Sequence, residues 1–464
     1  MEQKLVKLLL RMRERVFFRA AQRTFAMIMP FALIGAFFQM FSKILLSRDS
    51  LFFNILNLSK VFPQIVFQIA RFISGGVIFA IFGLFGVYAA YFMALYTARI
   101  YNKDSKLAGI TAIIAVFLIR SPNLSMNNGF SAVDLQLLSI KRMLFTTLFI
   151  GYLVGQVFRF LGQDHAIKRI EHVFDIKDRA FAAVKPVVAS LFMAVVVASF
   201  IYVLQVKIFN SDLVTTIADK IITSNNLLIN VPLVLLAIFL HWLGIGTPLE
   251  LAMSGQNGGA ATANFNYALT HGSSWNVPFK YLGSNLVQSY GTLSGAAFTV
   301  SLIIAILLLD RNKQNKLVAK ASIFPALFGV FNGLWVAFPV YLNPLLVLPV
   351  LVIPLVNIVI SSLAIALHLI PVSVYPVLAG TPGVLIPYIG TNGSWQALLM
   401  TIILVILDVY IIMPFYKINM NVQKRIAEID ALQDSRVISF KGRKKIIKEE
   451  LGNNEKTYAK NATK

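Results

Sequence analysis

Between residues 321 and 407 the chain carries no Asp, Glu, Lys or Arg, and between residues 221 and 309 it carries only Glu250 and Lys280. Soluble helices and strands turn one face to water and need polar residues there, so stretches this long without charge do not suit a water-surrounded core. A bilayer suits them: its hydrocarbon takes helices of roughly 20 apolar residues and makes every ion costly. The whole chain agrees with that solvent, with 57% hydrophobic and 13% charged residues in a length of 464. The fold class expected is an all-α polytopic membrane protein.

Charge then reads as topology. Lys and Arg number 42 against 20 Asp and Glu, a net charge of +22, and the excess sits in flanks and loops, which points to the positive-inside rule and away from nucleic acid. The leader 1–23, with Lys4, Lys7, Arg11, Arg13, Arg15, Arg19 and Arg23, runs into the apolar segment 24–41 without a small-residue cleavage site. That segment is therefore expected to stay as the first span. Leu5, Leu8, Leu9 and Met12 face away from the basic residues at helical spacing; a helix lying on an anionic cytoplasmic leaflet and a solvated basic tail both fit. With no cysteine, the chain has no disulfide, thiolate metal site or Cys nucleophile, and its histidines show no H-x-x-x-H pairing. No metal and no cofactor is expected, and no Walker loop is present for ATP.

Further spans are expected at 72–94, 108–119, 144–160, 186–206 and 227–244. Basic connections follow the second and the fourth, which puts both termini in the cytoplasm. Residues 164–185 alternate charge with Ile167, Ile170, Val173 and Phe174 and read as an interfacial amphipathic linker. In the second half, 292–309 and 401–416 are spans that end in basic flanks. Parity then demands a broken crossing within 247–291, which is rich in Gly, Asn, Ser and Thr. Residues 321–407 contain Pro325, Pro339, Pro344, Pro349, Pro354, Pro371, Pro376, Pro382 and Pro387, each removing a backbone donor. The solution expected is a re-entrant hairpin around 324–343, a span near 345–369, an irregular return at 371–393 and a last span. Irregular backbone survives at membrane depth only where protein or a water-filled cavity satisfies it, and transporters put substrates there. The organisation expected is a leader 1–23, a scaffold and dimerisation half 24–206, a substrate-binding transport half 207–417, and a basic cytoplasmic tail 418–464.

Residues 325–344, PALFGVFNGLWVAFPVYLNP, align without gaps to the pattern P-x-x-F-N-I-N-E-P…P-x-x-x-N-P. Residues 380–395 (GTPGVLIPYIGTNGSW), the ending MPFYK at 413–417, Ser294–Ala296 before a span, and the opening 23–37 around Met29-Pro30 and Gly35 fall in matching order. Together they resemble the membrane (IIC) component of the bacterial phosphotransferase system, lactose/cellobiose type, over nearly the whole chain to about Lys417. The resemblance implies about ten transmembrane helices plus two re-entrant hairpins, a homodimer, and a sugar carried across and phosphorylated by a IIB protein with a phosphocysteine. Because this chain lacks cysteine, that phosphorylated IIB partner is expected to be separate.

The chain departs from the family pattern where the chemistry is concentrated. The signature glutamate falls on Asn332, and the histidine of a G-I-H-G motif falls just after Trp242, where the chain reads Leu243-Gly244-Ile245-Gly246-Thr247. An amide still exchanges hydrogen bonds with a hydroxyl but is no charged acceptor. Glu250 and His241 are the candidates for a catalytic role. Glu250 either takes over sugar contact or base duty, or sits at an interface or pairs with Lys280. Substrate-binding candidates are Asn332, Glu250, His271, Asn257, Trp335, Asn343 and Trp395. His241 and His271 could replace the missing histidine, His241 equally being a structural residue at a span end. Trp335 and Trp395 offer rings for a pyranose face or belong to the interfacial belt. The function expected is a sugar permease of the phosphotransferase system for a disaccharide or oligosaccharide. The alternatives are a phosphorylation-independent carrier and a membrane sensor or scaffold.

Overall fold

The structure is a computed structural model that describes residues 12, 15–120, 139–164, 173–207, 224–245 and 259–436. Glu250, Asn257, most of the leader and the tail beyond 436 lie outside the described residues. Among those described there is no strand, only isolated bridges. The long helices are α1 (Val16–Phe41), α2 (Gln64–Ile78), α3 (Phe85–Ile100), α4 (Ser105–Arg120), α5 (Ile140–Leu161), α6 (Val173–Lys207) and α7 (Leu227–Trp242) in the first part of the chain. They continue with α8 (Gly259–His271), α9 (Ala296–Leu309), α10 (Lys313–Leu327), the short α11 (Asn332–Ala337), α12 (Val347–Ala366) and α13 (Trp395–Arg436). Six helical stretches among the described residues are long and apolar enough to cross a bilayer, and three shorter apolar helices accompany them. The chain is a multi-pass membrane protein, and its described residues are helical, as its long uncharged stretches predict.

Two stretches differ in detail from the sequence reading. The segment expected as one span at 72–94 is two helices, α2 and α3, joined by a π-helical turn at Phe79–Gly83 and a non-helical Leu84. Gly83 permits this, because a Cβ there would stand 2.7 Å from the ring of Phe79. The charged stretch before Pro186 is, from Val173 onward, one helix with the span that follows. Proline is also better tolerated than its chemistry alone suggests: Pro30, Pro186, Pro354 and Pro414 all lie inside helices. Neighbouring helices in a membrane re-satisfy the freed backbone groups.

Helices α3, α4, α5 and α6 pack through small side chains. Ala90, Ala94, Ala98, Ala108, Ala112 and Ala115 are all buried in one cluster. The closest approach is between α3 and α5, where Gly151 and Gly155 meet Ala90 and Thr97. A Cβ on either glycine would come within 2.5 Å of the facing helix. Lipid tails are as apolar as leucine, so association here comes from close van der Waals contact, which small residues four apart allow. The bundle is pinned outside the apolar region by Asp104, in the turn between α3 and α4. It accepts two hydrogen bonds from the Arg179 guanidinium of α6, the Nη2 one at 2.8 Å. Asp104 also caps α4 by accepting from the Leu107 amide at 3.0 Å.

A second, larger core joins α1 and α3 to α9–α13, with Phe25, Phe85, Leu144, Leu302, Trp335, Tyr341 and Tyr416 among its buried residues. Here α11 lies directly on α1: a Cβ on Gly333 would stand 2.8 Å from Ala36 Cβ and 2.9 Å from the Ala32 carbonyl. Beyond the first span the chain is also tied to the second half. Lys43 Nζ donates to the Phe328 carbonyl at 2.9 Å, and residues 49–51 exchange two backbone hydrogen bonds of 2.9 Å with Ala379. At the other end of α9, the Tyr416 hydroxyl donates to Asp310 Oδ2 at 2.6 Å. Burial raises the Asp310 carboxyl, but the hydrogen bonds from Tyr416, Asn315 and the amides of Asn312 and Arg311 outweigh it and hold the group below its ordinary range.

Candidate functional site

A cavity of about 250 Å³ lies where the backbone is least regular. Its walls come from His241 at the end of α7, a π-helical turn at Val287–Gly291, the residues leading into α9, Phe331 and Trp335 around α11, and Val350 and Pro354 of α12. The volume falls just under the roughly 300–1,000 Å³ of small-molecule sites, and its wall has the usual makeup of apolar surface with a few polar groups.

The turn into α9 explains why the chain cannot run straight here. Leu293, Ser294 and Gly295 all have left-handed backbone, with φ of 48°, 53° and 89°. For the two non-glycine residues such conformations cost on the order of 1–3 kcal/mol each and persist only when the surroundings enforce them. Two glycines make room for this one: a Cβ on Gly329 would lie 2.5 Å from the Ser294 carbonyl, and one on Gly383 would lie 2.3 Å from the Leu293 carbonyl. The turn thereby presents Thr292 and Ser294 to the cavity beside Gln288 of the π-helical turn.

The opposite wall is aromatic. The His241 ring meets Phe331 edge-on at 5.4 Å and Trp335 at 5.7 Å, and Trp335 meets Tyr341 at 5.1 Å. Trp335 is held by its indole N–H, which donates to Thr299 Oγ1 at 3.2 Å, while that hydroxyl donates to the Gly295 carbonyl at 3.1 Å. The unwound turn and the aromatic wall are thus one hydrogen-bonded unit. Trp242, next to His241, donates its indole N–H to the Val340 carbonyl at 2.7 Å and so fixes the end of α7 to the segment after α11.

Of the residues singled out from sequence, the structure brings His241 and Trp335 together on the cavity wall. Asn332 is buried one turn from Trp335, but its amide oxygen accepts from the Tyr341 hydroxyl at 3.1 Å and it does not line the cavity. Asn343 is also buried, its side chain accepting from the Leu345 amide at 3.2 Å. His271 is exposed at the end of α8, stacked on Tyr267 at 3.9 Å, and Trp395 is exposed at the start of α13. Neither reaches the cavity. Sequence reasoning did not single out Gln288 or Thr292 for the site, and used Ser294 only as part of a motif. The signal was there: polar side chains within the uncharged stretch 281–309.

The wall combines hydroxyl and amide groups on one side with flat aromatic faces and an imidazole on the other. Such a surface exchanges hydrogen bonds with a polyhydroxylated ligand, packs on its apolar face, and offers His241 as a group able to hold or pass a proton.

No family model matches the chain. Over 309 residues it is 25% identical to a cellobiose-specific EIIC component of the phosphotransferase system from Lactococcus lactis subsp. lactis (strain IL1403), a match covering 58% of this chain and 59% of that relative. Over 128 residues it is 26% identical to a lactose-specific EIICB component from Staphylococcus epidermidis, covering 27% of this chain and 22% of that one. Among solved structures, the transporter ChbC, the IIC component from the N,N'-diacetylchitobiose-specific phosphotransferase system, is matched at 20% identity with a TM-score of 0.40, over 90% of this chain and 96% of that one. The chain thus spans less than two thirds of the sequence relatives it matches. Those proteins carry the name to which the motifs of residues 325–344 and 380–395 pointed: the chain is similar to sugar-specific IIC membrane components of the phosphotransferase system.

Proposed function

We propose that the chain is the membrane permease of a phosphotransferase system, binding a disaccharide or oligosaccharide in the cavity between α7 and α11 and releasing it after phosphorylation by a separate IIB protein. The observation that carries this reading is the pairing of His241 and the aromatic wall of Trp335 and Phe331 with Gln288, Thr292 and Ser294 across one cavity. Cellobiose is the first sugar to try, because the relative matched over the longest stretch is named for it. Asn332 acts through Tyr341 and Trp335, as a positioning residue in place of a charged sugar ligand. Uptake of labelled cellobiose into right-side-out vesicles is expected only with phosphorylated IIB enclosed, at the cytoplasmic face that lines the lumen, with the sugar recovered inside as its phosphate. Unmodified sugar taken up without IIB would instead identify a carrier, and no uptake despite binding would identify a sensor.

The count of ten spans with two re-entrant hairpins, the division into a scaffold half 24–206 and a transport half 207–417, and the homodimer belong to this proposal. So does a cytoplasmic location for both termini. It is supported by the basic residues after the second, fourth and last spans. A reporter fused after Arg436 is expected to score as cytoplasmic, and an external score rejects this topology.

A further inference from the structure

The last span buries an acid that the cavity does not use. Asp408 lies within the apolar part of α13 and is fully buried, as is Asn357 of α12, which faces it. Asn357 Nδ2 donates to Asp408 Oδ2 at 3.1 Å and to the Gly291 carbonyl at 3.3 Å. A carbonyl only accepts, so Gly291 fixes which end of the amide points this way, and both amide hydrogens are spent. Two oxygens of the same pair, Asp408 Oδ1 and Asn357 Oδ1, are left with no hydrogen-bond partner.

Among the described residues no cation answers the acid. Helices α9 and α12 carry no titratable side chain. The π-helical turn carries Tyr290, whose hydroxyl donates to the Pro371 carbonyl, and the short helix Ile386–Gly390 carries Tyr388. On α13 itself stand Tyr410, which is exposed, and Tyr416, whose hydroxyl is committed to Asp310. His368 lies past the end of α12, against Asn276.

We propose that Asp408 is a proton-binding site. Carboxylate Oδ1 takes a proton from hydronium, leaving water, and the new O–H donates to Asn357 Oδ1. Acid and amide then form a doubly hydrogen-bonded pair: one hydrogen serves both orphaned oxygens and removes the charge from the membrane interior. The site adjoins the cavity through shared elements. Gly291 closes the π-helical turn whose Val287 and Gln288 line the cavity, and α12 supplies Val350 and Pro354 to the wall as well as Asn357 to the acid. Proton occupancy therefore sets the charge at the junction of three elements, two of which shape the cavity. This inference goes beyond the sugar reading and does not depend on it.

Infrared spectroscopy of the full chain in lipid, with and without carboxyl-¹³C aspartate, tests it. At neutral pH a carboxylic C=O stretch is expected that moves with the aspartate label and disappears in Asp408→Asn, whose amide has the shape of the neutral acid. Asn357→Leu removes the acceptor of the O–H and is expected to shift the same band, so the assignment survives if Asp408→Asn fails to fold. The absence of a label-sensitive carboxylic band at neutral pH overturns the proposal. So does a band unchanged in Asp408→Asn, or an Asp408-dependent melting temperature that follows sodium concentration, which would make the site one for a metal cation.

Discussion

Trp335→Ala is expected to destabilise the protein by about 3–5 kcal/mol and to abolish measurable cellobiose binding. The magnitude is that of truncating a large buried aromatic, where lost contacts and an uncollapsed cavity add. Trp335 is 6% exposed and packs its ring against His241, Phe298, Phe331 and Tyr341. Removing it opens the cavity wall into the core and frees the His241 ring. Thr299→Val isolates the polar part: it leaves the ring in place but strips the indole N–H of its acceptor, which costs about 1–3 kcal/mol. Thermal unfolding in detergent and calorimetric titration with cellobiose measure the two effects. A Trp335→Ala protein that melts and binds like the parent would show that the wall does not depend on this ring.

Asp104→Ala is expected to cost a similar amount, about 3–5 kcal/mol, with no direct effect on the cavity. Breaking a buried pair from one side takes away the carboxylate that answers the guanidinium, and that penalty exceeds the net value of the pair. The side chains of Arg179 and Asp104 are only 13% and 9% exposed. Adding Arg179→Met in the Asp104→Ala background is expected to restore much of the loss, since the pair is then removed whole. The neighbouring contact between Lys103 and Asp164, 2.8 Å long, provides the control. Its carboxylate is 85% exposed, and water leaves such a pair worth no more than about 1 kcal/mol. Melting midpoints for the single and double variants decide the matter, and an unchanged midpoint for Asp104→Ala contradicts the account.

The sequence made the solvent and most of the helices readable, because charge is scarce enough in this chain for its absence to mark the membrane. The uncharged stretch 321–407 contains α11 and α12, but the left-handed turn at 293–295 falls outside the broken crossing expected within 247–291, at the start of the segment 292–309 that reads as a regular span. What stayed hidden depended on contacts between distant residues. Gly151 and Gly155 are ordinary glycines in a helical pattern until Ala90 and Thr97 are seen against them. Asn332 stands where the family signature has its glutamate, yet only Tyr341 shows where its amide oxygen goes. His241 and Trp335 are 94 residues apart by their numbers and meet only in the folded chain. Asp408 was in plain view: the charge-free stretch ends at 407 because an acid follows, inside an apolar span, where an ionisable residue is by default a functional candidate.

The straps from the first span to residues 328, 333 and 379 bear on how the molecule can move. Because α11 rests on the backbone of α1, and because Lys43 and residues 49–51 hold the Phe328 and Ala379 carbonyls, the aromatic wall of the cavity is anchored on the N-terminal helix. A rigid body need not be continuous in sequence. If the cavity alternates between two faces of the membrane, either α1 travels with α11, or α11 stays still while α7, the π-helical turn and α12 slide past it. In both cases the shear surface cuts through the later part of the chain or around α1, and does not follow the proposed boundary between 24–206 and 207–417.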